Sequence, residues 1–418
     1  MKMGLLLAAL VSMLFVAEIR SYPMDGYADT GIRRLEQARL TQSGSLAGSR
    51  QPPGALLHTE QIVLGLRGQR FTVPDANQAL GDEIVALLGD EAEFYSVALL
   101  DLTDPNKPVY AQHRDTHKQN VGSVGKVLAA LGLFQALADF YPEVTERQQL
   151  LRSHDVVADR FAHSDHHTIR LFNVDSGELT RRSMQDGDIG SLWEYLDWTL
   201  SASSNSAASM VMREAMLLRY LERLYPVNSE AADKIFDELS SREKTELFQR
   251  TFWQPVTDAG LSLAEIRQGS FFTKGGQRAV SGGGVSYASG RSLVALMLQL
   301  EQGRLVDEWS SLELKRLLYA TERRIRYASA PALNGAAVYF KSGSLYSCVP
   351  EEGFSCRSYR GNQRNYMNSL TVVEEVFGDV KVHYISVVLS NVLKKNAAES
   401  HQALGTKVHQ LIKARHGL

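Results

Sequence analysis

The chain has 418 residues, 44% hydrophobic and 22% charged, enough to build one large α/β domain or two smaller ones. Forty-five Lys and Arg against 47 Asp and Glu leave a formal net charge of -2, which gives no electrostatic ground for nucleic acid or an anionic membrane surface as a partner.

In chain order, Lys2 precedes the apolar run Met3–Ala17, too short for a clear membrane span, and polar Glu18, Arg20 and Ser21 follow. This reads as a secretory signal over residues 1–21, so the chain is expected to be exported, periplasmic or secreted. Membrane contact is expected only through an uncleaved signal. Residues 22–55 are polar and end at the breaker Pro52-Pro53-Gly54, which predicts a loosely held arm. Short strands are expected at Gln61–Leu66 and Phe71–Val73, then an amphipathic helix over Gln78–Leu88. Phe94–Leu102 and Val109–Gln112 read as a hairpin around Asp104-Pro105.

A long apolar helix runs from Ser123 to about Tyr141. Residues 142–190 hold His154, His163, His166 and His167 beside Asp155, Asp159 and Asp165, in a spacing that fits no metal-ligand pattern. Ser191 caps a helix to Leu200. A polar break follows, then helices over Ala207–Leu224 and Asn228–Arg250. The glycines around Gly275 and Gly282–Gly284 lack a phosphate-loop pattern and read as a flexible connection. Ser289 caps a helix to Gln302, and another begins at Ser310. Strands are expected at Ala337–Lys341, Asn368–Val376 and Val380–Leu389, before a terminal helix from Ala397. Cys348 and Cys356 are the chain's two cysteines, and in an exported protein they are expected to close a short disulfide loop. The expected architecture is α/β of the α+β kind: an antiparallel sheet built from both chain ends, flanked by helices, with a mostly helical inserted region.

Three polar elements carry the chemistry. In Ser123-Val124-Gly125-Lys126 the i, i+3 spacing lets an amine reach a hydroxyl, and a partly desolvated lysine is a base able to activate serine. Ser203-Ser204-Asn205 lies between helices, and Lys341-Ser342-Gly343-Ser344 ends a strand. In this order they correspond to S-x-x-K, S-D-N and K-T-G. Residues 90–418 therefore resemble the penicillin-recognising serine hydrolases, class A β-lactamases and D-alanyl-D-alanine peptidases. The departures are Ser204 for Asp and Ser342 for Thr.

The resemblance implies a β-lactamase/transpeptidase-like catalytic domain over 56–418, with a helical subdomain at about 124–300. It implies Ser123 as nucleophile and Lys126 as base or proton relay. Ser203, helped by Lys341, would pass a proton to the leaving nitrogen, and Asn205 would orient substrate and Lys126. A substrate carboxylate would meet Lys341, Ser342 and Ser344, and the backbone N–H groups of Ser123 and Ser344 would hold the oxyanion; Gly343 belongs to the same element. No cofactor or metal is called for. The expected partner is a β-lactam or a peptidoglycan-type peptide; the alternative is a silent module that binds a cell-wall peptide or protein. The Glu-x-x-x-Asn pattern that serves deacylation in class A enzymes is missing after Asn205. Glu238 stands at the corresponding spacing, on a charged helix face. Fast lactamase turnover is thus not expected.

Overall fold

The computed structural model describes residues 25–322 and 324–418; the expected signal lies outside them. Tyr95–Asp101 (β1) is buried at every position, because the sheet is covered on both faces. Val97 and Leu99 face a cluster with Leu80 and Ile84 of the helix Gln78–Leu88 and Leu404, Val408 and Ile412 of the terminal helix Ala397–Arg415. Ala98 and Leu100, pointing the other way, join the larger core shared with the helical region. Val109–His113 (β2) pairs with one edge of β1. The strands Ala337–Ser347 (β3), Arg364–Phe377 (β4) and Val380–Asn391 (β5) complete an antiparallel sheet in the order β3-β4-β5-β1-β2. The register Tyr95↔Ser390 to Asp101↔Tyr384 joins the first half of the chain to the last. The sheet is built from both ends, as expected.

Between β2 and β3 lies the helical region. Its central helix, Lys126–Phe140 (α1), is apolar enough and, with the preceding turn, long enough to match a membrane span, yet it is buried from Lys126 to Phe134 as a core helix. Leu192–Leu200 (α2) starts where Ser191 Oγ accepts from Glu194 N, the expected cap. Asn205–Leu221 (α3) packs against both.

Several expectations are corrected. Ile62, Leu64 and Leu66 do alternate into the core, but Gln61–Leu66 pairs with no strand. Gly65 N donates to Glu301 Oε2 and Leu66 N to Glu301 O, so the stretch lies along a helix end instead. Phe71–Val73 is likewise no strand. The span Asn228–Arg250 is two helices, Ser229–Glu238 and Ser241–Phe252, because Ser240 caps the second. β3 continues to Ser347, so the third motif lies within the strand rather than at its end.

The arm is not loose. Its helix Arg33–Ser43 sends Arg34 to Asp197 of α2 through two hydrogen bonds of 2.7 and 2.6 Å, both side chains buried. Residues 142–190 contain a helix, Val144–Ser153, and a hairpin of Thr168–Phe172 with Leu179–Ser183. Cys348 and Cys356 are bonded, closing the loop beyond β3.

Candidate active site

Ser123 stands on a single 3-10 turn, Gly122–Gly125, that runs directly into α1. Gly122 adopts φ +54, a left-handed conformation glycine takes without strain, and its N–H donates to Asn120 Oδ1 at 2.9 Å. Val121 and Val124 on either side are buried and anchor the turn. Lys126, one turn on, has no solvent exposure. Its Nζ donates to Ser123 Oγ at 2.9 Å, Asn205 Oδ1 at 2.7 Å and Ser203 O at 2.6 Å, and lies 3.4 Å from Ser203 Oγ. The Phe272 ring centroid is 5.1 Å from the same nitrogen. Burial pulls the Lys126 amine down to about 7, partly opposed by the negative charge of Asp165.

Ser203 is held at φ +62, which for a non-glycine residue costs of order 1 kcal/mol and turns its carbonyl towards Lys126. Ser204 caps α3, its hydroxyl accepting from Ala207 N at 3.1 Å. Lys341 enters from β3 and donates to Ser203 Oγ at 2.8 Å. Burial holds the Lys341 amine well below its usual range, and the charges of Lys126 and Arg326 push the same way. Ser203 thus lies between two buried amines. At Gly343 the sheet and the Ser123 turn nearly touch: a Cβ there would fall 2.0 Å from Val121 O and 2.7 Å from Ser123 N. Asn368 of β4, fully buried, spans the same junction, donating to Gly343 O at 3.4 Å and accepting from Gln119 Nε2 at 2.6 Å.

All eight expected residues therefore converge on one site: Ser123, Lys126, Ser203, Asn205, Lys341, Ser342, Gly343 and Ser344. Seven of them line a cleft of about 740 Å³, and Lys126 is buried behind Ser123. Three further residues belong to the site. Arg326 donates to Ser342 Oγ at 2.8 Å and Ser344 Oγ at 3.1 Å, and its guanidinium stacks 4.7 Å from the Tyr359 ring. Asp165 and His167, from the loop before the hairpin, flank the second motif. No local pattern marks these residues in the sequence.

Among the described residues lining the cleft there is no Asp or Glu. Glu238, the candidate at the deacylation spacing, is exposed and lies 3.7 Å from Lys234 on its own helix. It is not a lining residue, because the helix presents that side to solvent. The histidines of 142–190 do not form one cluster either. His154 meets Glu214, His163 meets Asp186, and His167 meets Asp165.

No protein-family model and no curated protein matches the sequence. Among solved structures, a PBP-A variant in an acyl-enzyme complex with penicillin G aligns at 12% identity with a TM-score of 0.52, over 82% of this chain and all of the other. A β-lactamase from Sphaerobacter thermophilus aligns at 13% identity and a TM-score of 0.47, over 81% of this chain and 97% of its own. The sheet built from both ends, the helical insertion and the alignment to the whole of PBP-A together give the chain a β-lactamase/transpeptidase-like fold.

Proposed function

We propose that the protein is an exported active-site serine hydrolase that forms an acyl-enzyme at Ser123 on a β-lactam or a D-Ala-D-Ala-type peptide. The observation that carries this reading is the buried Lys126 amine, lowered to about 7 and 2.9 Å from Ser123 Oγ. A neutral amine at that distance can take the hydroxyl proton as Ser123 attacks the carbonyl. Ser203, in contact with Lys341, passes a proton to the departing nitrogen. The backbone N–H groups of Ser123 and Ser344 receive the oxyanion. Arg326 makes the far wall cationic, and the Lys341 amine with the hydroxyls of Ser342 and Ser344 makes it rich in donors, which favours a substrate with a carboxylate. Export is supported by the Cys348–Cys356 bond, since disulfides persist in oxidising compartments.

The lack of an acidic residue among the described lining of the cleft, with Asp165 buried behind the second motif, favours a slow second step. With the Phe272 ring near Lys126 and no carboxylate lining, water lacks an acidic base beside the ester. The reading is thus closer to a peptidase-like acylating enzyme than to a fast lactamase. Fluorescent penicillin should label the wild-type chain and leave Ser123→Ala unlabelled. Labelling of Ser123→Ala at the wild-type rate would remove Ser123 as the nucleophile.

A further inference from the structure

The second motif has no carboxylate of its own, yet a carboxylate is present at its centre. Asp165 Oδ2 accepts from Asn205 N at 2.7 Å, Ser204 Oγ at 3.0 Å and Ser206 N at 3.1 Å. Its Oδ1 accepts from His167 N at 3.1 Å and His167 Nδ1 at 2.6 Å. The side chain is 1% exposed. Five donors on two oxygens leave little capacity for a cation, so His167 and Asp165 read as a hydrogen-bonded clamp rather than as metal ligands. Burial opposes ionisation of Asp165, but the His167 and Ser206 hydrogen bonds and the His167 charge outweigh it and hold the carboxyl below its usual range. The clamp is ionised at neutral pH.

Resting on the acylation reading above, we infer that Asp165 is a positioning residue. From a separate loop it supplies the carboxylate that Ser204 does not, and so fixes Ser203 and Asn205 against Lys126. Two of its donors are N–H groups of the first two residues of α3, which lack helical partners and favour a negative charge, and a third is the hydroxyl of the cap Ser204. Ser203 sits immediately before them in its left-handed conformation, gripped on its other side by Lys126 and Lys341. Asn205, whose backbone Asp165 grips, offers Oδ1 to Lys126. The chain of contacts runs from Asp165 through the α3 start to the reacting pair.

A merely structural role and a positioning role separate in a kinetic experiment. The second-order acylation rate by penicillin G is followed by intact mass across pH in wild type, Asp165→Asn, Asp165→Ala and the double variant Asp165→Ala/Ser204→Asp. Lys126 faces Lys341 and the Asp165–His167 pair, and of these the Asp165 charge is the one that raises its pKa. Expected are a fall of about 10- to 100-fold in both single variants, a move of the Asp165→Asn acid limb to lower pH, and recovery of most of the rate in the double variant. Asp165→Ala acylating within about twofold of wild type would overturn the assignment. So would slow single variants with an unmoved acid limb and an unrescued double variant, since Asp165 would then act on folding alone. A wild-type chain that takes no adduct removes the acylation reading, and the assignment with it, before any variant is compared.

Discussion

Lys126 occupies a place that disfavours its charge, and the pH dependence of acylation follows from that. Its amine is lowered to about 7 by burial, so the neutral, proton-accepting form is the minority below that pH and the majority above it. The acylation rate is predicted to rise about tenfold per pH unit on the acid side and to level off above about 7, measured as penicillin labelling against pH. Lys126→Met keeps the stem and removes the amine proposed as base. The variant should fold while acylating roughly 1000-fold more slowly; a near-normal rate would take Lys126 out of the mechanism. The eight motif residues were legible because they stand in three short runs whose spacing already encodes contact. Asp165 and Arg326 were not, because each reaches the site alone, through tertiary structure, from a stretch with no pattern of its own.

Among the elements, the junction between β3 and the Ser123 turn sets how closely the third motif meets Ser123. Gly343 is required there for space rather than for its backbone angle, since any Cβ would run into Val121 O. Gly343→Ala is predicted to push the strand off the turn and cut acylation by about 100-fold, with a cooperative melt retained. Acylation at the wild-type rate would show that the two elements can separate without cost. The alternation of β-branched and aromatic residues made the β1–β2 hairpin and the last two strands readable. The same alternation misled at Ile62, Leu64 and Leu66, where burial against a helix end gives a two-residue period without a partner strand. The hairpin at Thr168–Phe172 escaped because its second strand, Leu179–Ser183, is mostly exposed and carries no apolar face.

At the scale of the whole molecule, the two chain ends close one sheet, and the arm fastens the helical region that carries the second motif. Arg34 alone reaches Asp197 with two hydrogen bonds and Ala320 O with a third. Arg34→Ala would leave Asp197 charged and buried without its partner, a loss of about 3–5 kcal/mol in denaturant unfolding. A change below about 1 kcal/mol would mean that the arm contributes little to folding. Composition made the arm look detachable, because its anchors are charged residues whose partners lie far along the sequence. The sheet topology, by contrast, followed from the order of strands and helices. The central claim, acyl transfer to Ser123, is tested most directly by a time course of intact mass with penicillin G. The account predicts an adduct of one complete penicillin on the wild-type chain, lasting well beyond its formation and missing in Ser123→Ala. An unmodified mass throughout, at penicillin concentrations far above that of the protein, would contradict it.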